Sequence, residues 1–214
     1  RGAETISTQA QVRVITGVAP NWRWIENFDL LTPGPVLGQG NFLNTEGVFF
    51  VVQTDTNRVL GYDGGDDLAA IRLQSLTVTE GQSNTLFFRV YIVDTVNPIG
   101  ITLGLTERPL RFNDDFNASV GPYIRLDGGG AISARNGVGQ AYTAAVDPLA
   151  AGKVYNVWID VENRPFDVID GVQMGGDRFS VHVAEEGVAT RTTLFDNFTA
   201  DRDAVNFEVV QGAP

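Results

Sequence analysis

Cleavage of a glycosidic bond calls for two carboxyl groups that converge on one side of the chain, one as acid and one as nucleophile or base. On a strand, alternate residues share a face. Glu185 and Glu186 are adjacent, so on a strand they point to opposite faces and do not form such a pair. Proton transfer near neutral pH favours histidine. The chain holds one, His182, in Ser180-Val181-His182-Val183. A Ser-His-Asp triad would have to use it, and no Gly-x-Ser-x-Gly elbow accompanies it. A lone strand histidine reads more simply as structural, so no catalytic residue is assigned and the chain reads as a non-enzyme.

Oxygen-rich turns are the next chemistry. Tyr62-Asp63-Gly64-Gly65-Asp66-Asp67 packs three carboxylates and two glycines into one turn. Calcium takes six to eight oxygens, and glycine lets carbonyls approach it. Asp63, Asp66 and Asp67 are therefore candidate ligands of a structural Ca2+. Asn113-Asp114-Asp115-Phe116-Asn117 and Asp201-Arg202-Asp203 are further turns of this type, and none has EF-hand spacing. Asp and Asn favour turns in any case.

Sugars present apolar C–H faces and polar rims, so glycan sites pair aromatic rings with hydrogen-bonding side chains. Trp22, Trp24 and Trp158 are the tryptophans. Trp158 lies out of phase with Tyr155, Val157 and Ile159. It either meets a ligand on the opposite face or fills the second side of an inner strand. Tyr91, Arg89, Arg125 and Asn156 are its candidate companions in glycan binding. Asn117-Ala118-Ser119 and Asn197-Phe198-Thr199 match N-glycosylation acceptors.

The surroundings narrow these choices. With no cysteine, the 214-residue chain has neither disulfides nor thiolate metal sites. A net charge of -11 disfavours nucleic acid and anionic membranes. No apolar run is long enough to span a bilayer. The chain opens Arg1-Gly2-Ala3-Glu4, without Met or leader, as a processed protein or an excised domain would. A secreted or cell-surface location, in a bacterium, is expected.

Alternating and β-branched runs separated by Gly, Asn, Asp and Pro predict strands near 5–16, 47–53, 58–62, 68–78, 85–94, 99–105, 121–127, 130–135, 153–162, 177–184, 189–195 and 204–210. No helical period is sustained, and Ala144–Gly152 allows at most a short helical turn. Many short strands with polar turns predict an all-β, antiparallel two-sheet sandwich.

Three stretches resemble bacterial laminin G-like, concanavalin A-like domains of the lectin and glucanase type. They are Glu26-Asn27-Phe28-Asp29 with Leu37-Gly38-Gln39-Gly40 and Phe42, then Tyr123-Ile124-Arg125-Leu126 with Ala134-Arg135-Asn136-Gly137, then Val154–Asn163 followed by Asp177–Val183. Phe42 stands where that family usually has Trp. The resemblance covers about residues 25–210 and implies that a domain of residues 21–214 is a jelly roll that binds glycans or serves adhesion. It also makes Asp29 a second calcium candidate. Hydrolases of this fold carry a Glu-x-Asp-x-x-Glu strand, which is missing here. Lyases of this fold, the remaining enzymatic alternative, need an Arg, Gln, His and Tyr group.

Residues 1–20 fall outside the resemblance and form a β extension. Ile6, Thr8, Ala10, Val12 and Val14 share one phase of its strand. Sheet edges expose unpaired main-chain groups that a spare strand can satisfy. The extension is therefore expected either to add to its own sandwich as an edge strand or to add to a neighbour's. In the second case the chain is a self-assembling subunit of an extracellular filament or matrix.

Overall fold

The structure is a computed structural model and describes residues 9–11, 28–36, 38–40, 42–46, 49–54, 58–62, 70–92, 101–106, 120–126, 130–137, 140–145, 147, 149–165, 167–170, 172–174, 176–200 and 206–213. Its strands form two large antiparallel sheets. The eight-stranded sheet runs, in spatial order, β16 (Thr192–Thr199), β15 (Arg178–Glu185), β12 (Lys153–Glu162), β7 (Ser83–Ile92), β1 (Gln9–Gln11), β5 (Arg58–Tyr62), β4 (Phe49–Gln53) and β2 (Gly34–Pro35). The seven-stranded sheet runs β11 (Thr143–Ala144), β10 (Ile132–Ala134), β9 (Val120–Leu126), β8 (Ile101–Thr106), β17 (Asn206–Ala213), β6 (Ala70–Thr79) and β3 (Phe42–Glu46). A separate hairpin joins β13 (Asp167–Ile169) and β14 (Val172–Met174).

The alternation read in the sequence is the alternation that packs. Tyr155, Val157, Ile159 and Val161 of β12, and Leu86, Phe88, Val90 and Ile92 of β7, are buried. They belong to one apolar cluster with Leu105, Ile124, Leu126 and Ile132 of the opposite sheet. Both sheets thus turn one face to a shared dry layer, which makes the fold an antiparallel β-sandwich.

Asn163 stitches the two layers at the end of β12. It is 1% exposed. Its main-chain N–H donates to Gln82 O at 2.9 Å, its carbonyl accepts from Gly81 N–H at 2.8 Å, and its Nδ2 donates to Val78 O at 2.8 Å. Gly81 and Gln82 form the turn between β6, in one sheet, and β7, in the other.

Three expectations are corrected. The N-terminal strand is not at an edge: Gln9–Gln11 pair with β5 on one side and β7 on the other, in the middle of the sheet. Only Ala10 of the self-association set is described, and Ile6, Thr8, Val12 and Val14 lie outside the described residues. No helical turn occupies the described part of 144–152, where Thr143–Ala144 pair with β10 and Ala151–Gly152 make a tight turn. The short strands β2, β3, β11, β13 and β14 were not separated by the sequence pattern, which carries little period over two to five residues.

Core position separates costly from harmless truncations. Ile159→Ala, at 0% exposure, is expected to lose roughly 3 kcal/mol of unfolding free energy. Leu30→Ala, at 94% exposure, is expected to change it by less than about 0.5 kcal/mol. Denaturant titration of both variants checks this, and equal losses would refute the assigned phase of β12.

Candidate functional site

The outer face of the eight-stranded sheet is built by β12 and its neighbours. β12 pairs along its length with β7 on one side and β15 on the other. Directly opposite residues on neighbouring antiparallel strands bring their side chains together on one face. Since Val157 and Ile159 face the core, Asn156, Trp158 and Asp160 face outward. Three parallel rows follow from the register: His182–Trp158–Phe87, Ser180–Asp160–Thr85, and Ala184–Asn156–Arg89. Tyr91 lies opposite Val154 at the lower end. Every one of these outward residues except Ala184 is half-buried.

Trp158 sits at the centre. Its ring centroid is 5.4 Å from that of Phe87, and the Arg191 guanidinium lies 4.3 Å from its centroid. Arg191 reaches it from just before β16, at the end of the turn that follows β15. A guanidinium over an indole is a favourable cation–π contact. Ala184, in the outward phase yet only 6% exposed, is the small residue on the strand between β12 and β16.

A polar chain crosses four strands beside this ring. Thr85 Oγ1 donates to Asp160 Oδ1 at 2.5 Å. Asp160 Oδ2 lies 3.2 Å from His182 Nε2. His182 Nδ1 is 3.0 Å from Thr193 Oγ1. The histidine side chain is 19% exposed and the aspartate 42%. Arg89 is engaged by Glu186 from the turn after β15. At the rim, Lys153 pairs with Glu185 at 2.6 Å. That hydrogen bond first, and the carboxylate's charge second, hold the Lys153 ammonium above the ordinary lysine range. The pair's contribution is thus complete below the unfolded-chain lysine value and is lost as pH rises through the folded one. Solvent screens it.

Of the sequence candidates, Trp158, Tyr91, Arg89 and Asn156 come together on this face. Arg125 does not. It belongs to β9 of the other sheet, where its guanidinium lies 4.1 Å from the Tyr142 ring centroid. Its neighbour in sequence, Ile124, is in the core, so Arg125 points away from the sandwich on the opposite side of the molecule. Arg135 shares that second cluster, 4.9 Å from the Tyr142 ring, and Tyr123 OH donates to Tyr142 OH at 2.9 Å. Asp29 lies on an exposed turn, and among the described residues no group of three His, Asp or Glu side chains converges on a metal position. Asp63, Asp66, Asp67, Trp22 and Trp24 lie outside the described residues.

Sequence reasoning missed Phe87, Asp160, Arg191 and the placement of His182. Asp160 shares the phase of Trp158 and was legible to that extent. Phe87 likewise shares the phase of Arg89 and Tyr91, but bringing it, His182 and Arg191 to Trp158 needed the pairing of neighbouring strands and the course of the β15–β16 connection, which no local pattern contains.

No family model and no curated protein matches the chain. Among solved structures, it is similar to the endo-β-1,4-glucuronan lyase of the fungus Trichoderma reesei, with 12% identity, a TM-score of 0.29, and coverage of 85% of this chain and 80% of that one.

The half-exposed polar chain is not what holds the sandwich together. Asp160→Asn and Arg191→Ala are each expected to shift unfolding free energy by no more than about 1 kcal/mol. Urea unfolding measures it. A loss several times larger would make the cluster part of the fold's support rather than a surface available to a ligand.

Proposed function

We propose that the outer face of the eight-stranded sheet binds a polysaccharide or cell-surface glycan without cleaving it, and that the chain serves as a secreted or cell-surface adhesion module. The observation that carries this reading is the arrangement around Trp158: an indole and a phenyl ring side by side, bordered by Asn156, Asp160, His182, Thr85 and Arg89, all half-buried. A buried core does not need this mixture. A sugar does, because its C–H face packs on a ring while its hydroxyls need planar amides, carboxylates and guanidinium groups at the rim. Arg191 enters from the end of the β15–β16 connection and, among the described residues, meets the indole through a ring contact, so it can move aside or join the rim when a sugar ring arrives. The resemblance to laminin G-like domains supports the same reading. A protein of net charge -11 suits neutral glycans better than strongly anionic ones.

A second reading, cleavage of the bound glycan, is favoured by one observation: the only histidine of the chain lies in the same face, 3.2 Å from Asp160. An imidazole beside a carboxylate is an arrangement used in general acid–base catalysis. It stands here without an assigned electrophilic partner, and binding alone is the proposed activity.

Glycan-array screening followed by calorimetry tests the proposal. Trp158→Ala is expected to weaken binding roughly tenfold or more, the loss of about 1–2 kcal/mol of aromatic contact. Arg125→Ala, on the other sheet, is expected to bind like the unaltered chain. Both variants must retain the native circular dichroism spectrum. No binding at millimolar glycan, or equal losses from both variants, contradicts the assignment. Release of sugars or unsaturated chain ends that disappears in His182→Ala would replace binding with cleavage.

A further inference from the structure

The eight-stranded sheet is closed in its middle by a strand from the far end of the sequence. β1 is the first described strand, and both its neighbours lie beyond residue 57. Gln9 and Ala10 face Gly61 and Leu60 of β5. Gln9, Ala10 and Gln11 face Tyr91, Val90 and Arg89 of β7. β5 and β7 are not adjacent in the sheet order. Without β1 the sheet divides into β16–β15–β12–β7 and β5–β4–β2, and each half presents a bare row of N–H and C=O groups. Such edges recruit a strand from whatever source offers one in register.

The source with demonstrated fit is this same segment. It is antiparallel to both walls, and a second copy of the chain carries it with identical side chains and hydrogen-bonding groups. We propose that the slot between β5 and β7 accepts β1 of a second copy, so that a chain gives one strand and receives another. Two copies that exchange the strand reciprocally close as a two-fold dimer, whereas donation passed on to a further copy is head-to-tail and closes into a larger ring or continues as a filament. At equilibrium the exchanged and self-filled forms hold the same ladder. A tethered strand competes at an effective concentration on the order of millimolar, so exchange is favoured when chains fold together at high density. This proposal is independent of glycan binding.

The absence of cysteine makes the test clean, because introduced thiols are the only ones present. Opposite residues of an antiparallel pair lie within disulfide reach. One preparation of the full chain carries Gln9→Cys, and a second, isotope-labelled, carries Tyr91→Cys. They are unfolded, mixed, refolded together at high concentration and oxidised. The expected product is a reducible species of twice the 23.1 kDa chain mass with one copy of each label. Gln9→Cys mixed with Val188→Cys, 53% exposed on a turn outside the slot, is expected to give far less. The double variant Gln9→Cys/Tyr91→Cys reports folding and register by closing within one chain. The pair Gln11→Cys and Arg89→Cys repeats the test if the first pair disturbs the fold. Closure within one chain with no cross-chain product above the Val188→Cys background overturns the proposal. So does failure of both double variants to close, because the slot would then not hold β1 in the stated register.

Discussion

The double pairing of β12 is the constraint on which the remainder rests. All ten of its residues, Lys153 to Glu162, face partners in β7, and eight of them also face partners in β15. A strand held on both sides cannot rotate or slide without breaking two ladders at once. With a side-chain period of two, a slip by one residue would send Val157 and Ile159 into water and Trp158 and Asp160 into the core. Burial of the first pair therefore dictates exposure of the second. The outward row is a consequence of core packing, and its chemistry is whatever the sequence places at the alternate positions.

The two sides of the eight-stranded sheet meet that constraint differently. On the side of β15 and β16 the ladder is long, with register shifts only between Phe179 and His182. On the side of β1 it depends on three residues bridging two neighbours that would otherwise stand apart. Between the layers, Asn163 joins the end of β12 to the β6–β7 turn with two hydrogen bonds and to Val78 of β6 with a third. A close backbone approach closes the other end: Gly130 has φ +79, and a Cβ there would fall 2.0 Å from Leu149 O. Leu149 N–H donates to Gly130 O at 2.7 Å, which fixes the buried Leu149 under the start of β10. Stability is thus concentrated around β12, and the outward row of Asn156, Trp158 and Asp160 sits on the best-held element.

Much of the sandwich was legible in the sequence. The strand predicted at 153–162 matches β12 at both ends, and the runs predicted at 85–94 and 177–184 fall on β7 and β15 within two residues. These segments are long, strictly alternating and apolar on one phase. The outward phase of Trp158 was legible too, although a second buried side was the simpler expectation; the structure leaves it half-buried with Arg191 over the ring. What could not be read was adjacency. Arg125 has the right phase on its own strand, yet that strand lies in the other sheet, and phase does not name a sheet. His182 looked isolated because its partners Asp160 and Thr193 belong to neighbouring strands. The first strand looked like an edge because nothing local distinguishes an edge from a central position when both neighbours come later in the chain.

Residue-resolved amide hydrogen exchange of the full chain tests the central claim, that β12 is the doubly held spine which positions the outward row. The amides of Val157, Trp158 and Ile159 are predicted to exchange only through global unfolding, at the protection limit of the molecule, while those of the connection at 186–191 exchange early. Exchange of 157–159 at the rate of that connection, under conditions where the other strands remain protected, would contradict the account.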